Sequence, residues 1–406
     1  MQKSLLKIPY LGPLPPPHII PKNAGSLSGA VIALTEFLTA PPSSSLPDDV
    51  LDPASTVLLT GAGLSVASGL ADYRGTGGTY KVNKNYRPIY YHEFLSSHEA
   101  RKRYWARSFL GWTNLDRARP NAAHFAIKEL GAMKIVRSVI TQNVDSFHLT
   151  AHPDLPTLEL HGYLRALRCL SCNREYSRKE FQIKLEKLNP IWKAFLEEAH
   201  KSGAFQTKDP AERKSKGIST NPDGDVDVPG APYSTFRYPA CPNCSKNPPL
   251  ENDGSRKRVQ VDEDGAWRVG TCGILKPSVV MFGESISSSI KEAAERAIDS
   301  SGRLLVLGTS LATYSAWRLA KRAKDRGMPI GIINLGGVRA EEVFFKDLLH
   351  SKNGRTGVRA EVRTDEILPK LVESLREPGS SITVNEASSL KTEKINQNII
   401  FKDMLS

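Results

Sequence analysis

A chain of 406 residues, 40% of them hydrophobic and 24% charged, has the composition of a soluble globular protein and is long enough for two or more domains. It holds no run of about 18 uncharged apolar residues, which argues against a membrane span. The net charge of +12 is concentrated in residues 79–137, where twelve Lys/Arg face four Asp/Glu. This is either a solvated basic face or a surface that attracts anions such as cofactor phosphates, acidic substrates or nucleic acid. With no aromatic-interleaved basic repeat and no zinc-finger His pair, direct nucleic-acid contact is not expected.

Residues 1–24 read as an N-terminal extension, Pro-rich from Ile8 to Pro21 and without an acidic residue before Glu36. Lack of acid fits an organelle transit segment, whereas the prolines and the absence of arginine make a poor amphipathic helix. Ser28 to Leu38 reads as a short helix with Ser28 as its N-cap, and Pro41-Pro42-Ser43 opens a loop.

The first strand is the run Thr56 to Thr60, which ends in Gly61-Ala62-Gly63. An apolar β-branched run ending in glycines is how a parallel strand brings backbone N–H groups to a phosphate. The ordinary dinucleotide fingerprint requires a third glycine at position 66, and Val66 breaks it, which disfavours a plain dehydrogenase. In its place comes a polar tail, Ser65, Ser68, Gly69, Asp72, Tyr73 and Arg74, which reads as a loop continuing over a cofactor. Gly75 to Tyr80 is glycine-rich enough to be a mobile cover.

Pro88 to Trp112 reads as helical, and Asn121 caps a helix running through Leu130. Ile135 to Ile140 is the second strand, followed by the polar cluster Thr141-Gln142-Asn143-Val144-Asp145 at the end where open α/β sheets bind ligands. Leu158-Glu159-Leu160 then ends in His161-Gly162. A histidine at a strand end beside a glycine is a candidate base, its ordinary pKa of about 6.5 suiting proton transfer near neutrality.

Cys169-Leu-Ser-Cys172 and Cys241-Pro-Asn-Cys244 are two C-x-x-C pairs, the halves of a closed four-thiolate zinc site with a structural role. An odd total of five cysteines argues against a disulfide framework and for a reducing compartment. Cys272, left over, reads as a free thiol or an alternate ligand. The 68 residues 173–240 between the pairs form an insertion with helices near Arg178–Leu188 and Pro190–His200, then a polar loop. Gly273 to Glu284 is read as returning the chain to the sheet. Further strands are expected at Arg303–Leu307, Pro329–Ile333 and Val358–Val362, with a helix from Asp365 to Leu375, and residues 377–406 are polar enough to be a disordered tail.

The string Gly61 to Arg74 resembles the NAD-binding loop of the sirtuins, departing from the pattern at Leu70 and Ala71. The same family's order of motifs recurs in Thr141 to His148, His161-Gly162, Gly273 to Glu284, Gly308 to Tyr314 and Asn334 to Gly336. The resemblance implies an α/β fold: a Rossmann-like parallel sheet with helices on both faces, plus a smaller zinc-binding and helical module. The Rossmann-like part would take residues 25–78, 120–165 and 273–376; residues 79–119 would be the helical part of the small domain and 166–272 its zinc-binding part.

It also implies NAD-dependent removal of acyl groups from protein lysines, through attack of the acyl oxygen on C1′ to give an alkylimidate and finally O-acyl-ADP-ribose. His161 would be the base, Asn143 and Asp145 would orient nicotinamide and ribose, Gln142 would contact the ribose, and Arg74 would secure the loop near the phosphates. Gly308, Thr309 and Ser310, with Asn334 and Gly336, would complete the cofactor site, and Val280, Phe282 and Gly283 would flank the acyl-lysine. Arg103 to Trp112 and Leu188 to Trp192 look most like class II, sirtuin 4-like members, which are mitochondrial, so a matrix location is expected.

Three other readings carry discriminators. Protein mono-ADP-ribosyl transfer would label a protein from NAD; a dehydrogenase would change the reduced-nicotinamide absorbance; a non-catalytic zinc-ribbon adaptor would bind its partner without NAD. Tyr104 and Arg107, three apart on a helical segment, share a face. Such a Y-x-x-R pair is similar to the one that reads acidic acyl groups in some class III sirtuins, the alternative being a packed tyrosine beside a solvated arginine.

Overall fold

The computed structural model describes residues 12–376 apart from 76, 84–85, 204–218, 251–252 and 269; the expected tail and residues 1–11 lie outside the described residues. In chain order the strands are β1 (Asp52–Thr60), β2 (Val136–Thr141), β3 (Thr157–Glu159), β4 (Gly162–Cys169), β5 (Glu175–Ser177), β6 (Ser219–Thr220), β7 (Val226–Asp227), β8 (Leu275–Val279), β9 (Ser301–Leu307), β10 (Ile330–Ile333) and β11 (Gly357–Ala360). Six of them form one parallel sheet in the order β11-β10-β9-β1-β2-β3.

Continuous apolar runs suit strands covered on both faces. Along β1, Leu58 packs with the helices Leu27–Thr39, Ala122–Ala132 and Thr364–Arg376, whereas Val57 and Leu59 face Ser288–Asp299 and Tyr314–Asp325 on the opposite side. β9 alternates likewise, with Leu305 and Leu307 on the first face and Leu304 and Val306 on the second. Burying each such side chain contributes roughly 1.5–3 kcal/mol. The chain runs outward from β1 through β2 to β3, then starts again on the other side of β1 at β9. The carboxyl ends of β1 and β9 therefore flank the point where the order reverses, the position at which open α/β sheets hold ligands.

The smaller module is built from the antiparallel sheet β5-β4-β8 and the helices Tyr91–Ser96, His98–Arg117, Arg178–Leu188 and Pro190–Lys201. Its core includes Trp105, Phe109, Phe181, Trp192 and Phe236. The segment beginning at Gly273 thus returns to this sheet and not to the parallel one, because β8 pairs with β4, Cys169 opposite Leu275. Pro277 is tolerated there because β8 is an edge strand, where a missing N–H costs little.

Other boundaries shift for local reasons. Ser26, not Ser28, caps the first helix, its Oγ accepting from the Gly29 N–H at 3.1 Å. The single helix expected over 88–112 is two, broken at Ser97, whose side chain caps the second. The N-terminal segment is tied to β11 at Ile20, which exchanges backbone hydrogen bonds with Arg359 at 3.0 and 2.7 Å.

Candidate active site

A cleft of about 1240 Å³ opens at the carboxyl ends of β1, β2, β9 and β10 and extends to the small module. After β1 the backbone makes a 3-10 turn, Ala62–Ser68, pressed against the loop after β9: the Gly63 N–H donates to the Gly308 carbonyl at 2.9 Å. A Cβ at Gly63 would lie 2.8 Å from that carbonyl oxygen, so the close approach requires glycine. Gly61, Ala62, Gly63, Ser65, Gly69, Asp72, Tyr73 and Arg74 all line the cleft. Ser68 does not; its hydroxyl and the Leu64 carbonyl both accept from the Asn121 amide, at 3.0 and 2.8 Å, so it braces the turn from outside.

Asn143 at the end of β2 donates to the Gly61 carbonyl at 3.1 Å and to Ser65 Oγ at 3.2 Å, and Ser65 donates to Asp145 at 2.7 Å. Asp145 also accepts from the Phe147 N–H at 2.9 Å, and burial pushes its carboxyl up from the usual range. Gln142 bridges β1 and β9, donating to the Thr60 carbonyl at 3.2 Å and to Thr309 Oγ1 at 2.9 Å, while its oxygen accepts from Thr313 at 3.0 Å. The three polar residues after β2 thus hold the glycine turn in place.

His161 sits beside them. Its Nδ1 faces the Gln142 carbonyl at 3.2 Å and its Nε2 faces Ser315 Oγ at 2.9 Å. A carbonyl only accepts, so Nδ1 carries the proton and Nε2 accepts from the hydroxyl of Ser315, which also lines the cleft. Burial lowers its pKa to about 4, the Gln142 carbonyl acting weakly the other way, so the ordinary value expected above is not retained. The imidazole is neutral at pH 7 and able to accept a proton.

The strip after β8 closes one side. The Val280 N–H donates to the His161 carbonyl at 2.8 Å, and the Tyr91 N–H donates to the Phe282 carbonyl at 2.9 Å. Val280, Phe282 and Gly283 line the cleft, as do Gly308, Thr309, Ser310, Asn334 and Gly336. Lys276 and Glu284, ion-paired at 2.9 Å, fasten the strip, the Glu284 carboxylate also accepting from the Met281 N–H at 2.8 Å. Fully buried Arg359 fastens the Asn334–Gly336 turn by donating to both carbonyls, at 3.1 and 2.6 Å, while pairing with Glu341 at 3.0 Å.

The four cysteines of the two C-x-x-C pairs converge, their Sγ atoms all within 4.8 Å, with Cys169 3.6 Å from Cys244 and Cys172 3.7 Å from Cys241. Tetrahedral zinc with Zn–S bonds of about 2.3 Å separates its sulfurs by about 3.8 Å, so the donor set fits the ion. Cys272 lies outside the group, buried in the module core with its carbonyl accepting from Trp267 Nε1 at 2.9 Å.

Residues 61–315, which contain the glycine turn, the β2 cluster, His161 and all five cysteines, match the Sir2 family. The chain belongs to that family. Among its relatives, "NAD-dependent protein deacylase SIR4" of Batrachochytrium dendrobatidis is 42% identical over 71% of this chain and 83% of its own length. "NAD-dependent protein deacylase Sirt4" of Drosophila melanogaster is 31% identical over 80% and 85%. A Bordetella bronchiseptica "NAD-dependent protein deacetylase" is 36% identical over 71% and 86%. The fold matches the solved structure titled "Structural Basis for the Mechanism and Regulation of Sir2 Enzymes", with a TM-score of 0.51 and 24% identity over 86% of this chain and 97% of that one.

In this sirtuin Tyr104 and Arg107 are separated by their surroundings. Tyr104 lines the cleft and packs edge-on against Phe94 and Trp105. Arg107 is buried behind it, ion-paired with Asp225 at 2.8 Å and near Asp227 at 3.9 Å, and does not line the cleft. It is neither a solvated charge nor a cation turned to the cleft. The carboxylates come from the insertion read as a polar loop, whose β6–β7 hairpin reaches the cleft wall with Asn221, Asp223 and Asp225. Asp223, Asp225 and Ser315 carried no sequence signal beyond polarity, since their partners lie 118 to 154 positions away.

Proposed function

We propose that this sirtuin is an NAD-dependent protein-lysine deacylase that releases nicotinamide and an O-acyl-ADP-ribose. The observation that carries this reading is His161, which lines the cleft that the glycine turn borders, with its proton fixed on Nδ1 and its Nε2 accepting from Ser315. When bound, NAD supplies an electrophilic ribose carbon and a nicotinamide leaving group. Nε2, now facing Ser315, is placed to take a proton from a ribose hydroxyl. Asn143 and Asp145, tied to Gly61 and Ser65, hold the cofactor's nicotinamide end, and Phe282 with Tyr73 excludes water from the reacting centre. The four cysteines hold one zinc with no open position, which supports the fold and takes no part in the chemistry.

The test is an acetyl-lysine peptide incubated with NAD and read by mass spectrometry. Peptide deacetylation with stoichiometric nicotinamide release, lost in His161→Ala, is expected. Label from NAD retained on protein, with the acyl-lysine intact, would instead mark mono-ADP-ribosyl transfer. The mitochondrial matrix is the proposed location, supported by the resemblance to sirtuin 4-like members; fractionation of cells expressing the full chain tests it.

A further inference from the structure

One wall of the cleft is made by a part of the chain that the NAD chemistry does not use. The β6–β7 turn is closed by the Asn221 N–H donating to the Asp225 carbonyl and the Gly224 N–H donating to the Asn221 carbonyl, both at 3.0 Å. Gly224, at φ +70°, seats its carbonyl against Gly111 of the helix His98–Arg117, where a Cβ would come within 1.9 Å of that oxygen. Val226 is buried in the module core, so the turn is anchored on both sides.

Its side chains set the chemistry of this wall. Tyr73 of the glycine-loop tail donates its hydroxyl to Asp223, and Asp225 neutralises Arg107. Burial, with the charge of Asp225 added, raises the Asp223 carboxyl to about 6, leaving it mostly ionised at pH 7. Asp223, Asp225 and Asp227 thus gather around Arg107. An incoming carboxylate would meet the like charge of Asp223 in a desolvated place.

Asn221 supplies the second observation. Its side chain is 3% exposed and lines the cleft, yet neither its amide nitrogen nor its amide oxygen has a hydrogen-bond partner among the described residues. A buried amide without partners is destabilising unless a ligand satisfies it. Its complement is a neutral group that donates and accepts at once.

We propose that Asn221 and Asp223 select acyl-lysines whose acyl chain ends in a neutral donor–acceptor group, a carboxamide in the simplest case, over those ending in the isosteric carboxylate. The inference rests on the deacylase reading and replaces the expectation that Tyr104 and Arg107 hold an acidic acyl group. The amide N–H₂ donates to Asp223 and to Asn221 Oδ1, and its carbonyl accepts from Asn221 Nδ2. The carboxylate can make only the last of these.

The test uses the full chain and two peptides that differ in one atom group, a glutaryl-lysine and the corresponding lysine acylated with the glutaric monoamide, beside an acetyl-lysine control. The expected result is a kcat/KM at least about tenfold higher for the amide, a discrimination well within reach of a site built to hydrogen-bond its substrate. In Asn221→Leu that ratio should fall toward one. Calorimetric binding of the same two peptides reads the preference without turnover. Equal or better use of the carboxylate by the unaltered protein, or a ratio unchanged in a folded Asn221→Leu variant, overturns the proposal. If the acetyl control is not turned over while the amide peptide still binds preferentially, the deacylase reading fails and the selectivity stands.

Discussion

His161 Nδ1 lies 3.2 Å from the backbone carbonyl of Gln142, the same residue whose side chain bridges Thr60 and Thr309. One residue therefore sets both the tautomer of the proposed base and the spacing of the two strand ends beside it. A base acts only when deprotonated, and burial holds this imidazole's pKa at about 4. The kcat/KM for NAD, which reports the free enzyme, should therefore keep full value through pH 6.5 and fall only below about pH 5. An acid limb centred at 6.5 or above, matched by an NMR titration of the His161 ring at the same pH, would count against this assignment.

A second set of histidines governs acid stability. His148 Nε2 meets Thr60 Oγ1 at 2.9 Å and its Nδ1 meets His152 Nε2 at 2.9 Å, with the His124 ring 5.1 Å from that of His148. Burial lowers all three, His124 to about 3. Their folded pKa values lie below the unfolded 6.5, so the unfolded chain binds more protons as pH falls. Their stabilisation is complete above about pH 6.5 and declines below it, by up to about 1.4 kcal/mol per pH unit for each. The raised carboxyls of Asp72, Asp145 and Asp223 act in the opposite sense, so a difference is the cleaner measure. The gap in urea-unfolding free energy between the unaltered protein and His152→Asn should narrow from pH 7 to pH 5; a constant gap would refute the linkage.

Metal analysis should return one zinc per chain. A closed thiolate site contributes its binding energy to folding, so chelation or Cys241→Ser should lower the unfolding temperature before it changes NAD affinity. Cys272→Ser should retain the zinc, because its sulfur is not among the converging four. Loss of zinc in that variant, or a stoichiometry well below one, contradicts the assignment.

Gly63→Ala tests the close approach of the β1 and β9 loops. The added methyl would meet backbone at Gly308, which has no rotamer to yield, so overpacking of about 1–3 kcal/mol is expected. The measurement is NAD binding by calorimetry, which should weaken while zinc content stays at one. Unchanged NAD affinity would separate this loop from the cofactor.

Arg107→Met should destabilise by about 3–5 kcal/mol, since it strands the Asp225 carboxylate in a largely buried place. The double variant Arg107→Met with Asp225→Asn should recover much of that loss in chemical unfolding. Additive losses would mean that the pair is not coupled.

What the sequence determined by itself is local or periodic. The two-sided apolar runs of β1 and β9, the glycines after β1, the polar cluster after β2 and the two C-x-x-C pairs each announce themselves within a few positions, because strand burial, tight turns and metal knuckles demand particular residues at fixed short spacings. Order and spacing of these motifs were enough to point to the family. The tertiary structure decided what depends on distant partners. β8 joined β4 instead of the parallel sheet, the β6–β7 turn came to rest at the cleft, and Arg107, a charge in a helical segment, was buried and neutralised by a residue 118 positions away. Burial and electrostatic environment are properties of all the chain that surrounds a group. The pKa of His161, the partner of Arg107 and the unpaired amide of Asn221 therefore exist only once the chain has folded.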